Sequence, residues 1–219
     1  MNQNSQEESL QTLSDIKRIM ERSARFLSLS GWSGIWAGIV GLISAAIAYS
    51  WIADLTTADY YNYRATKGAS IRAGQLTGID VQFIALAAIT FIVALAGGIY
   101  FTWNKTKKQG LKIWNSASKK MLVQIAIPLC AGGVFVLVFL FNGLEMYIAP
   151  TSLTFYGLAL LNGSKYTLSD IQYLGILEVL LGCISLLVLG HGLIFWAIGF
   201  GLLHIIYGVI MWNKYDKKQ

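Results

Sequence analysis

The chain has 219 residues, of which 55% are apolar and only 13% charged, and its mean hydropathy is positive. That composition leaves too few polar side chains to cover a soluble globule of this size, so a water-soluble fold is excluded. The net charge of +6 invites a nucleic-acid reading, but the placement of the basic residues makes it a signal of membrane orientation, and no nucleic-acid partner is expected.

Residues 1–28 carry both signs of charge ahead of the first apolar run. That run is too long for the hydrophobic region of a secretory signal and is read as a retained anchor. Ser5 and Glu8 have capping-box spacing, and Leu10, Leu13, Ile16, Met20 and Leu27 recur at helical intervals. An amphipathic cytoplasmic helix is therefore predicted over 1–28. Lys17, Arg18, Arg22 and Arg25 crowd its bilayer end, suited to anionic lipid headgroups, with a partner-binding helix as the alternative.

Apolar runs follow at 29–52, 81–103, 121–141, 144–162, 171–189 and 193–212. Each approaches the ~20 residues a helix needs to cross a ~30 Å hydrocarbon layer. Helices satisfy their own backbone groups in lipid, so the predicted fold class is an all-α integral membrane protein. It is read as a six-transmembrane-helix bundle over 29–212, with a basic cytoplasmic tail at 213–219. The fourth run is the weakest, because it carries Glu145 and Pro150; the alternative is a re-entrant or interfacial segment. Charge decides between the two. Six crossings place fourteen of seventeen basic residues on the cytoplasmic side and leave only Arg64, Lys67 and Arg72 outside, whereas five crossings give ten against seven. Both termini are then cytoplasmic, in a plasma membrane, or the inner membrane of a bacterium.

The outer connection, 53–80, is the longest and holds Tyr60, Tyr61, Tyr63, Arg64, Lys67 and Arg72, which suit either an external cap or interfacial anchoring. The inner connection, 104–120, gathers Lys105, Lys107, Lys108, Lys112, Lys119 and Lys120 around Leu111, Ile113 and Trp114. With Arg22 and Arg25 these lysines form the predicted lipid-surface binding set.

Within the spans, Gly31, Gly34, Gly38, Gly41, Ala45 and Ala48 form a smooth stripe that must bury against another helix, of this chain or of a second copy in a homo-oligomer. Trp32 and Trp36 fall off that stripe, towards lipid or the membrane interface. Pro128 with Gly132 and Gly133 predicts a kink in the third span. Gly190, His191 and Gly192 join the last two spans in a turn so short that they form an antiparallel hairpin. Glu178 and His204 are each thirteen residues from His191, which sets them at similar depth. Each lies on a small-residue face: Gly175, Glu178, Gly182 and Ser185 on one helix, and Ala197, Gly201, His204 and Gly208 on the other. The two faces are expected to pack together. An ionisable group inside the bilayer is expensive and finds a partner, so Glu178 and His204 are predicted to form a hydrogen-bonded pair that titrates as a unit. It serves either as a clasp fixing the hairpin or as a proton or cation site, with Glu145 near the outer end of any pathway.

No catalytic residue is assigned. The sequence lacks an HExxH motif, a Gly-x-Ser-x-Gly elbow and a P-loop. Two histidines and two cysteines, Cys130 and Cys183, do not make an ordinary zinc site, and no metal or other cofactor is expected. The leading functional reading is a non-enzymatic binding, sensing or assembly component whose partners are the bilayer, its anionic headgroups and either a second copy or another membrane protein. The alternative is a small transporter or channel for protons, cations or a small solute, using Glu178 and His204.

Overall fold

The computed structural model describes Thr12 and residues 29–54, 57–73, 76–110 and 114–217. Thr12 apart, the segment 1–28 expected to form the amphipathic helix lies outside the described residues, with Arg22 and Arg25, as does Lys112. Every regular element among the described residues is helical. In chain order these are α1 (Gly31–Ala53), α2 (Thr57–Ala73), α3 (Gly78–Lys108) and α4 (Ser116–Phe141), a short 3₁₀ turn (Glu145–Tyr147), then α5 (Ile148–Ser164), α6 (Ile171–Leu187) and α7 (Gly192–Asp216).

Four helices, α1, α3, α4 and α7, are long and apolar enough to cross a membrane. Helices α5 and α6 have 17 residues each, about 26 Å of rise, at the lower limit for a crossing. Two long helices begin earlier than their apolar runs because polar caps, not hydropathy, set the first turn. The Thr77 hydroxyl accepts from Asp80 N–H at 3.2 Å while the Asp80 carboxylate accepts from Thr77 N–H at 2.8 Å, a reciprocal capping box at the start of α3. Asn115 and Ser118 make the same exchange at the start of α4. Helix α4 then runs through Pro128 as one element. The outer connection, expected as a loop, is largely the helix α2.

The small residues sort the packing. Helix α1 lies antiparallel to α7, with Gly31, Gly34, Gly38 and Gly41 set against backbone atoms of Trp212, Gly208, Gly201 and Phe200. The stripe is thus consumed within the chain, which removes it as a ground for pairing with a second copy. Trp36 does not face away from the bundle: its indole N–H donates to the Val93 carbonyl of α3 at 3.0 Å and its ring fills the space left by Gly97. Trp32 is half exposed and stacks on Phe101.

The expected match between the small faces of α6 and α7 is a correction. Gly175 and Gly182 abut Gly157, Thr154 and Pro150 of α5, and Gly201 and Gly208 abut α1. Backbones approach closest where glycines oppose glycines, and α6 and α7 instead meet where the Glu178 and Leu181 side chains lie against Gly199. The hairpin turn itself is as expected, with Gly190 at φ +92°, a left-handed conformation that glycine adopts freely.

One end of the bundle carries most of the described lysines and is closed by a carboxylate from far along the chain. Asp216 Oδ2 accepts from Gly31 N–H at 2.9 Å and from the Ser30 hydroxyl at 3.1 Å, while Lys105 Nζ donates to Asp216 Oδ1 at 2.6 Å and to the Leu29 carbonyl at 2.9 Å. A negative group is thereby placed at the positive end of α1. The start of α1, the end of α3 and the end of α7 therefore share one end of the bundle.

At the same end Asp170 sits between α5 and α6. Burial pushes its carboxyl up, but hydrogen bonds from Lys214 Nζ (2.7 Å) and the Tyr215 hydroxyl (2.6 Å), with the lysine charge, outweigh this and hold it below the usual carboxylate range. A depressed folded value contributes stability above the unfolded carboxylate range and loses it as pH falls through the folded value. Asp170→Asn is expected to flatten the acid limb of thermal stability against pH; an unaltered acid limb would show that Asp170 does not contribute to it.

Candidate intramembrane polar site

Glu178 lies midway along α6 on the buried face made by Leu174, Gly175, Gly182 and Ser185, and it is fully inaccessible to solvent. His204, also buried, faces it from α7, with Nδ1 3.5 Å from Glu178 Oε1. The depth argument from the hairpin turn thus brings the two residues together, but not as a hydrogen-bonded pair. His204 Nδ1 lies 2.9 Å from the Gly199 carbonyl, and because a carbonyl only accepts, this nitrogen carries the proton. The Tyr156 hydroxyl of α5 is 2.7 Å from Nε2, a contact in which the phenol donates to a neutral ring or accepts from an imidazolium. Both ring nitrogens are then satisfied without the glutamate.

The local backbone explains this geometry. Residues Ala197–Leu203 are π-helical, which admits an extra residue per turn and sets the Gly199 carbonyl within reach of its own helix's His204, five positions on. Gly199 also gives Glu178 its room: a Cβ there would lie 2.6 Å from Oε2. The result is a buried carboxyl with no protein hydrogen-bond donor to either oxygen among the described residues. Native interiors leave few buried polar atoms in that condition, because each costs the desolvation of the group.

Tyr156 was not singled out in the sequence. Its place beside the site follows from long-range packing, since it belongs to α5, the helix whose Gly157 faces α6.

Glu145, expected near the outer end of any pathway, lies at the end of the bundle opposite Asp216, within an ion cluster. Lys67 of α2, itself buried, lies 2.7 Å from Asp80 and 2.8 Å from Glu145, and donates to the Leu140 carbonyl at 3.3 Å. Tyr63 donates to Asp80 at 3.2 Å. Burial disfavours the lysine charge, but the two carboxylates outweigh it and hold the ammonium above its usual range. Burial, then the Glu145 and Asp80 charges, push the Tyr63 phenol up as well. This cluster ties α2 to α3, α4 and the 3₁₀ turn.

Of the predicted lipid-surface lysines, Lys107, Lys108, Lys119 and Lys120 are exposed beside exposed Trp114. Lys105 is not available in the same way, because Asp216 and the Leu29 carbonyl occupy it. The described residues contain no group of three His, Cys, Asp or Glu side chains placed to share a metal ion.

Comparison with protein-family models, curated proteins and solved structures gives no match to this chain.

Proposed function

We propose that the protein is a six-span membrane bundle with both ends cytoplasmic, acting as a non-enzymatic sensing or binding component whose centre is Glu178 and whose ligand is a proton. The observation that carries this reading is the buried Glu178 carboxyl, without a protein donor among the described residues, beside a histidine already satisfied on both nitrogens. Such a group changes the energy of the α5–α6–α7 seam when it gains or loses a proton, which is the requirement for a sensor. A metal ion suits the site less well, since hard cations take about six to eight oxygen ligands and one carboxylate supplies at most two.

The six-span count is supported by alternation along the chain. Trp51 near the end of α1 meets Phe83 near the start of α3, and Gly132 of α4 meets Phe155 of α5 while Gly163 meets Ile125. Successive long helices run antiparallel, and the basic residues collect at one end. Exposed Lys107, Lys108, Lys119 and Lys120 there suit anionic headgroups of the cytoplasmic leaflet.

The site is tested by infrared difference spectroscopy of the reconstituted protein between acid and alkaline pH. A carboxyl C=O band is expected in the wild type and absent in Glu178→Gln, with helix content equal in both. Identical difference spectra would remove Glu178 as the proton site.

A further inference from the structure

The polar atoms left without a protein partner are not scattered. Among the described residues, buried side-chain oxygens in this condition belong to Glu145, Glu178, Ser185 and Tyr207. Glu145 has Lys67 at 2.8 Å as an ion-pair partner, so the unexplained atoms all lie on α6 and α7. Helical spacing sets them at successive levels along the two helices. Tyr207 is three residues from His204 towards the basic end, just under one turn, about 4.5 Å of rise. Its ring packs against Leu168, Ile171 and Met211, beside the Asp170, Lys214 and Tyr215 cluster that opens to solvent at Lys214.

In the other direction Ser185 is seven residues from Glu178 on the same buried face, two turns or about 10.5 Å. Between them, where Gly182 leaves no side chain, the Thr154 hydroxyl of α5 fills the gap. Beyond Ser185 the helix ends at Leu187, and the turn with exposed His191 follows. Hydroxyl, carboxyl, imidazole and phenol are all groups that can accept one proton while releasing another. Isolated hydroxyls inside an apolar bundle cost free energy and add nothing to packing that alanine or phenylalanine would not supply.

We infer that this series, Asp170 and Tyr207, His204 with Tyr156, Glu178, Thr154 and Ser185, carries protons between the two ends of the bundle. The inference rests on the reading of Glu178 as a proton site and adds movement to it. At each hop one O–H or N–H bond breaks as another forms; Glu178, Ser185 and Tyr207 have no hydrogen-bond partner among the described residues in the closed seam, so water admitted when the seam opens carries the proton across those gaps. Glu178 alternates between carboxyl and carboxylate, one proton leaves the medium at one end, one enters the medium at the other, and one positive charge crosses. The titratable groups facing Glu178 are His204 from α7 and Tyr156 from α5. With Glu178 sealed from solvent, the series is a relay that needs transient opening of the seam, not an open pore.

The test uses the full chain in liposomes containing a trapped pH dye, with potassium and valinomycin on both sides to compensate charge. A pH jump is expected to equilibrate faster than in protein-free vesicles and to return to the protein-free rate with Glu178→Gln. Ser185→Ala and Tyr207→Phe each remove a single oxygen. Each is expected to slow the flux about tenfold or more, while the Glu178 infrared band remains. Wild-type flux equal to that of empty vesicles, or full flux in both hydroxyl variants, overturns the relay. If the infrared band survives that result, Glu178 is a proton site without a pathway; if the band is also absent, the functional reading fails with it.

Discussion

Replacing Lys67 by Met is expected to destabilise the protein by about 3 kcal/mol, the lower end of the ~3–5 kcal/mol seen when one partner of a buried ion pair is removed. Lys67 and Asp80 are 6% and 3% exposed, and they meet at 2.7 Å. Methionine keeps most of the side-chain volume, so the loss measured is electrostatic. Asp80 would remain buried with, among the described residues, only Thr77 and Tyr63 donating to it. Glu145, partly exposed, can turn to water, and the cluster's place at an end of the bundle screens what is left, which is why the lower figure applies. For a chain of this size about 3 kcal/mol corresponds to a fall in Tm of roughly 6–12 °C, read by thermal unfolding in detergent. Lys67→Arg, which keeps the charge, should lose less. A methionine variant as stable as the wild type would mean that α2 is not anchored through this pair.

The parts of the structure legible in the sequence are those governed by short-range regularity. Apolar run length marked the helices, and equal counting from His191 brought Glu178 and His204 to within 3.5 Å. The glycine stripe of α1 announced a close helix contact, though not its partner, because a smooth surface does not specify what lies on it. Backbone hydrogen bonding within the site was out of reach. The sequence contains no sign that Ala197–Leu203 would be π-helical, and that turn gives His204 the Gly199 carbonyl and so separates it from Glu178.

The other misses are long-range. Asp216 meets Gly31 across 185 positions, and Lys67 meets Leu140 across 73. The distribution of charge across the membrane is a property of loops and does not specify which lysine finds which carboxylate. Lys105 illustrates the difference: grouped with five other lysines as a lipid-facing residue, it is the one tied to Asp216. The Thr77 to Asp80 spacing was a readable cap signal, of the same kind as the one noted at Ser5 and Glu8, and it marks where α3 begins.

Alanine in place of Gly208 should be as damaging as any single methyl group in this bundle. A Cβ there would lie 2.8 Å from the Gly31 carbonyl oxygen and 2.9 Å from the Gly34 carbonyl carbon, with the Ile35 amide nitrogen closer still. All three are backbone atoms of α1, so no side chain can rotate away and the two helices must separate. Separation also loosens the contacts of Gly34 and Gly38 with α7, because they lie on the same seam. Overpacking costs ~1–3 kcal/mol in ordinary cores, where side chains relax; with backbone on the opposing side, about 3 kcal/mol or more is expected. Gly133→Ala is the internal control. It adds the same methyl to α4 at a position where a Cβ meets nothing within 4 Å, and the intrinsic helix preference of alanine, up to about 1 kcal/mol, should leave it neutral or slightly stabilised. Thermal unfolding of the two variants side by side separates steric loss from helix propensity. If both shift Tm alike, the α1–α7 seam is more compliant than its backbone contacts imply, and the bundle is held chiefly by its polar ends.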